Sequence, residues 1–306
     1  MAPSLVHNGP PNLFVCRQMP LIALVAVLLA AVTHATWNLS AKRAAGSNHF
    51  VWMYSALSVC IYTPVIIWIV WTTRPQFQLI HWMALSATAV LHIGYSLMLQ
   101  AGYRASDLSL VYPLARGSGP LLSFFLAVLI LDERMTWISV AGVLLIVSGI
   151  VLVSGMLSES HKAPRAGIFF GIGTGVFTAA YTINDGWAVK ILMISPFIVD
   201  YSGNFVRMLV LSPRAWMDRV RVKQEMHDFA RPVITVSVLG PLGYILVLFA
   251  MQVAPISHVA PARELATLIG TYFGARMLKE KAAPARLAGA VCIVAGVVSL
   301  AFADAG

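Results

Sequence analysis

The chain reads as an all-α, polytopic membrane protein of ten transmembrane helices, laid out as two inverted five-helix repeats. Three observations lead there. Ten apolar stretches of roughly spanning length follow one another with short polar breaks, charged residues are too few for a water-soluble domain, and the second half repeats the first at a fixed offset.

Composition comes first because it excludes most alternatives. Apolar residues make up 59% of the 306 and charged residues 11%, against about 45–50% and about 25% in ordinary soluble domains. The net charge of +9 could suit nucleic acid, but the Lys and Arg residues lie between apolar runs and form no basic patch on a soluble domain. No nucleic-acid partner is expected. Cys16, Cys60 and Cys292 show no CxxC pair and no metal-ligand spacing, so they read as inert packing residues, with no metal or cofactor implied.

The apolar runs cover 21–38, 50–71, 80–100, 108–131 and 137–156, then 167–186, 197–211, 233–251, 259–277 and 287–302. A bilayer core needs about 20 apolar residues per helix, with a range of about 17–25, and most of these runs qualify. The seventh and tenth fit least well. The breaks carry helix-ending chemistry: Arg74-Pro75, Asp132-Glu133-Arg134, the polar segment 158–165 and the charged stretch 214–231. Arg17 before the first run and small residues after it also fit a signal peptide, but the repeat requires that helix to stay.

At an offset of 147, Arg116 falls on Arg263, Glu133 on Glu280, Gly142 on Gly289 and Gly149 on Gly296. With slightly different offsets Gly94-Tyr95 falls on Gly243-Tyr244, and Trp37 opposite Tyr181. The expected organisation is therefore a tail over 1–19, a first repeat over 20–156, a linker over 157–165 and a second repeat over 166–306. Five helices per repeat force the halves into opposite orientations, the plan of secondary transporters with a solute site near the midplane.

The residues then carry a family likeness. His34-Ala-Thr-Trp-Asn38, the run from Tyr112 to Pro120 (YPLARGSGP), and Leu131-Asp-Glu-Arg134, echoed by Leu278-Lys-Glu-Lys281, resemble the EamA branch of the drug/metabolite transporter superfamily over nearly the whole chain. The resemblance implies carriers of amino acids, nucleosides, drugs or other small metabolites, often proton-driven or exchanging. The stretches around Tyr112 and Tyr181 are similar to members associated with phosphonate use.

Polar residues inside apolar runs are where chemistry is expected, because an intramembrane charge is costly unless paired or hydrated. Arg116 lies about nine residues, or about 13 Å, inside its helix, too deep to snorkel easily. Arg263 is its repeat mate, followed by Glu264. Two guanidinium forks at one cavity suit a carboxylate or phosphonate; alternatively each pins helix to helix through carbonyls or a carboxylate such as Glu264 or Asp185. His34 and Asn38 share a face beside Trp37, as do Tyr181 and Asp185 on the counterpart helix. Cavity lining and interhelical hydrogen bonding compete for His34 and Asn38, an interfacial aromatic role for Trp37, and a solvated helix end for Asp185. His92 and Tyr95, three apart, complete the candidate set with Tyr112. Asp200, Asn204 and Arg207 form a stripe read as internal ion pairing. Glu133 and Glu280 read as caps of the following helix or interfacial partners.

Catalysis is not expected, since no nucleophile-base pair, metal cluster or phosphate-cradling loop stands out. The function indicated is a secondary transporter of a small anionic or zwitterionic metabolite, with protons as a candidate coupling ion, in a bacterial cytoplasmic membrane; a non-transporting scaffold or lipid-linked flippase subunit is the alternative. Loops after odd-numbered helices hold thirteen Lys and Arg against four elsewhere outside the spans. The positive-inside rule thus puts both termini outside, whereas the family resemblance implies both inside.

Overall fold

The computed structural model describes residues 19–44, 47, 49–105, 108–154, 165–266, 269 and 284–303. Among them, every regular element is helical. The helices are α1 (Leu21–Arg43), α2 (Phe50–Thr73), α3 (Leu79–Ala105), α4 (Leu108–Leu131), α5 (Trp137–Ser154), α6 (Arg165–Lys190), α7 (Pro196–Met217), α8 (Arg219–Asp228), α9 (Ala230–Val253), α10 (Ile256–Ala262) and α11 (Pro284–Phe302). Five stretches are long and apolar enough to cross a bilayer: Phe50–Thr73, Leu79–Leu99, Leu114–Leu131, Arg165–Lys190 and Ala230–Val253. Shorter apolar segments lie at Leu21–Trp37, Trp137–Leu152 and Ala288–Phe302.

Two elements depart from the apolar pattern. The stretch 214–231, expected as a charged break, holds α8, because Val222, Glu225, Met226 and Phe229 recur at helical spacing and form a face turned to the bundle. Of the ninth run, only α10 and the turn after it are described; the remainder, with Glu280, lies outside the described residues. Helix ends follow local chemistry. Arg74, Asp132 and Met193 each take a left-handed backbone (φ 43, 54 and 55°) just after α2, α4 and α6, and Pro196 opens α7.

Large apolar side chains point outward, with Leu21, Leu79, Leu129 and Trp137 each more than three-quarters exposed. In water such a surface would aggregate. Facing lipid, it is the stable arrangement, and the inter-helix seams rely instead on close packing of small residues. α5 lies on α11 with backbones nearly touching: a Cβ on Gly149 would stand 2.6 Å from the Gly289 carbonyl oxygen, and one on Gly296 2.5 Å from that of Gly142. Because 142 meets 296 while 149 meets 289, the two helices run antiparallel. The same exchange recurs at α3 and α9. Gly94 admits Phe177 of α6, and Gly243 admits Thr33 and His34 of α1.

The connections gather at two ends. At one, His49 before α2 meets Asp218 and Glu225 flanking and within α8 (3.2 and 3.3 Å), and Ser47 donates to Glu225 at 2.6 Å. At the other, Glu133 after α4 accepts from Lys190 at the end of α6 (3.2 Å) and from the amides of Ile256 and Ser257 (both 2.8 Å). Glu133 is thus a cap, but of α10 in the other repeat and not of α5, whose first turn is bonded by Thr136 to Ser139 N.

The α5–α11 contact makes a direct prediction. Gly149→Ala should lower the melting temperature of the detergent-purified protein, by an amount corresponding to about 1–3 kcal/mol of overpacking. Gly240→Ala, where a Cβ meets only Val236 at 3.8 Å, should leave it unchanged; equal melting of the two variants would contradict the seam.

Candidate functional site

Between the two ends lies a polar cluster contributed by five helices and one turn. Asp185 is its hub. On α6, one turn after Tyr181, it is 0% exposed, so it is not a solvated helix-end carboxylate. Thr88 Oγ1 donates to Oδ1 at 2.6 Å and Asn184 Nδ2 at 3.1 Å; Tyr244 OH donates to Oδ2 at 2.5 Å. His92 Nε2 lies 2.9 Å from Oδ2, which selects the tautomer with the proton on Nε2. Thr88 and His92 are four apart on α3, so a single helix face delivers both. Asn184 also donates to Thr88 Oγ1 and to the Ala84 carbonyl, locking α6 to α3.

Tyr181 forms the floor. His92 stacks on it with ring centroids 4.2 Å apart, Tyr95 meets its edge at 5.7 Å and Tyr244 at 6.3 Å. The Arg263 guanidinium carbon stands 5.8 Å from its ring centre. Arg263 and Glu264 sit in the turn where α10 stops, with backbone bonds reaching only three residues back, from Glu264 N to Pro261 O and Ala266 N to Arg263 O. A helix interrupted inside an apolar run is a recurring way to bring side chains and backbone to a transported solute. Glu264 faces both arginines: Arg116 Nη1 at 3.2 and 3.4 Å, and Arg263 Nε at 3.5 Å.

Seven of the candidates named from sequence thus come together: His92, Tyr95, Arg116, Tyr181, Asp185, Arg263 and Glu264. His34 is adjacent, donating from Nδ1 to its own helix at Ala30 O (2.9 Å), seated against Gly243 and within electrostatic reach of Arg116, Arg263 and Glu264. Trp37 sits at the margin, its ring 5.8 Å from that of His34 but packed into the apolar cluster beneath α8. The side chains of Asn38 and Tyr112 lie outside what the structure describes. Sequence reasoning missed Thr88, Asn184 and Tyr244. The signal was present for one of them, since Tyr244 matches Tyr95 across the repeat. The Asp200–Arg207 stripe is bridged: Asn204 donates to Asp200 at 3.1 Å and accepts from Arg207 at 3.5 Å, and Arg207 also donates to Tyr54 OH.

Charge is unevenly distributed. Two guanidinium groups, those of Arg116 and Arg263, face Glu264 at one end, whereas Asp185 is held by Thr88, Asn184, Tyr244 and His92 at the other. The guanidinium groups and the Asp185 carboxylate therefore lie on either side of Tyr181. Access is graded too, since the Arg116 and His92 side chains are 23% and 16% exposed while Glu264 and Asp185 lie behind them at 1% and 0%.

A bundle with lipid-facing apolar surface and a buried polar centre defines a multi-pass integral membrane protein. The model of the EamA-like transporter family matches residues 21–155 and again 165–302, and the chain belongs to that family, within the drug/metabolite transporter superfamily. It is a membrane transporter of that class. No curated protein matches it. A solved structure described only as "Crystal structure of protein" is similar at a TM-score of 0.71 and 13% identity, covering 90% of this chain and 95% of its own. At that identity the likeness speaks for the fold alone.

The arginine pair yields a stability prediction. Glu264→Gln leaves two guanidinium groups facing each other and should destabilise by up to about 3 kcal/mol, the low end for a broken buried pair because Arg116 is partly hydrated. Adding Arg116→Gln should restore part of the loss. A double variant as unstable as the sum of the single variants, measured by thermal unfolding, would show that the two residues are not coupled.

Proposed function

We propose that the protein is a secondary transporter that moves a small anionic or zwitterionic metabolite, such as an amino acid, phosphonate or organic acid, across a bacterial cytoplasmic membrane by alternating access. The observation that carries the reading is the placement of two guanidinium groups and a buried carboxylate on either side of Tyr181. An acid group suits the Arg116–Arg263 end, where two guanidinium forks converge, and an ammonium group suits the buried carboxylate of Asp185. We further infer ten spans in two inverted halves, 20–156 and 166–306, joined by a linker over 157–165 after a tail over 1–19. The antiparallel α5–α11 seam and the exchanged glycine contacts support that arrangement.

Protons are the proposed coupling ion, with Asp185 and Glu264 as their carriers, because arginines stay charged throughout a cycle and carboxylates need not. The structure around Glu264 suits a hand-over: solute binding at the arginines competes with Glu264 for the same guanidinium donors.

Two outcomes follow. In a thermal-shift screen of amino acids, phosphonates, organic acids and nucleosides, an anionic or zwitterionic compound should stabilise the purified protein, by about 2.7 kcal/mol at a hundredfold excess over its dissociation constant. Arg116→Gln and Arg263→Gln should each weaken that binding tenfold or more, the scale of a lost charge-assisted bond of about 1.5–3 kcal/mol; undiminished binding in both would remove the arginines from the site. In proteoliposomes, Asp185→Asn or Glu264→Gln should abolish accumulation driven by a pH gradient while sparing solute exchange, and intact gradient-driven uptake in both variants would rule out these carboxylates as coupling groups.

A further inference from the structure

The segment between α7 and α9 has no part in the polar cluster, yet it holds the densest charge among the described residues. α8 is fastened from beneath. Val222, Met226 and Phe229 pack against the start of α2 and of α9, and Glu225 is held by Ser47, His49 and Arg221. That fastening decides what the other face shows. Arg219, Arg221 and Lys223 are exposed, flanked by Arg214 and Arg231, against two exposed carboxylates, Asp218 and Asp228. Interleaved with them, Trp216, Met217 and Val220 are 76%, 84% and 69% exposed.

An open depression of about 540 Å³ lies here, lined by Met217, Asp218, Arg219, Val220, Arg221 and Gln224. Its walls combine two guanidinium groups with an amide, two apolar side chains and the carboxylate of Asp218, which is engaged by His49 at 3.2 Å. The apolar side chains continue along α7, where Leu209 and Val210 are about half exposed. A soluble anion would use the arginines and leave Trp216, Met217 and Val220 facing water.

We propose that the outer face of α8 is a docking site for anionic phospholipid, with the headgroup phosphate between Arg219 and Arg221 and the upper acyl chains along Trp216, Met217 and Val220. The helix lies in the plane of the interface. Basic residues on a helix with an adjoining apolar strip are the recognised chemistry of such a surface, each cation near an anionic leaflet contributing about 1 kcal/mol. Tryptophan at the headgroup level fits the same position. Because α8 is tied to the start of α2 through His49, Ser47 and Glu225, a lipid seated there braces one end of the bundle. The site stands independently of the solute.

The test uses the full chain in detergent micelles, titrated with phosphatidylglycerol, with phosphatidylcholine, or with inorganic phosphate. Phosphatidylglycerol should raise the melting temperature by several degrees more than phosphatidylcholine, and inorganic phosphate should not reproduce the difference. Arg219→Gln combined with Lys223→Gln avoids the internal Arg221–Glu225 pair; it should melt like the wild type without added lipid and lose at least half of the phosphatidylglycerol effect. Arg165→Gln, an exposed cation at the start of α6, should keep all of it. In the wild type alone the difference should shrink as salt rises from about 0.05 to about 0.5 M, because exposed charges are screened over that range. A wild type that does not distinguish the two lipids, a folded double variant that keeps the whole effect, or an equal response to inorganic phosphate would overturn the proposal.

Discussion

Everything in this bundle depends on the hydrogen bonding of one carboxylate. Lipid offers no partner to a polar group, so a charge placed inside a membrane bundle must be satisfied by other side chains or by enclosed water. Asp185 meets that demand with donors from α3, α6 and α9. Those helices are thereby fixed in rotation about their own axes as well as in separation. Once Thr88 and His92 point at Asp185, Tyr95 must point at Tyr181, and the aromatic floor follows from the carboxylate.

The glycines make such an approach possible. Gly94 and Gly243 let α3 and α9 close on α6 and α1 without the gap a side chain would hold open, and the backbone contacts of Gly142, Gly149, Gly289 and Gly296 do the same for α5 and α11. The two kinds of contact differ in character. Backbone packed on backbone has no replacement in lipid, so the α5–α11 seam behaves as a rigid unit. The contacts at the two ends, His49 with Asp218 and Glu225, and Glu133 with Lys190 and the start of α10, are polar. Water at the membrane surface can replace them. A carrier needs that combination of fixed seams and exchangeable ends.

Much of this was legible beforehand. Arg116, Arg263, Glu264, Asp185, His92 and Tyr181 stood out because charges and polar aromatics are conspicuous in apolar runs, and the repeat paired Arg116 with Arg263. Thr88 and Asn184 did not stand out. Hydroxyl and amide side chains are common in membrane helices, where they bond their own backbone, as Thr33, Thr36 and Thr63 do here; nothing local distinguishes one that reaches a carboxylate on another helix. Glu133 was read as a cap of the following helix or an interfacial partner; it pairs with Lys190 and caps a helix, but α10 and not the one that follows it in sequence.

By itself, the sequence determined the environment and the layout: apolar runs of spanning length, two repeats, and a few polar groups too costly to be there without partners. These are local properties, set by composition over a helical length and by 3.6-residue periodicity. Only the tertiary structure decided who the partners are. Helical periodicity says which residues share a face but not what that face meets, and the deciding contacts here join Thr88 to Asp185 across 97 positions and Arg116 to Glu264 across 148. The same is true of α8, whose charged stretch reads as a loop until α2 and α9 supply the apolar surface that makes folding its inner face favourable.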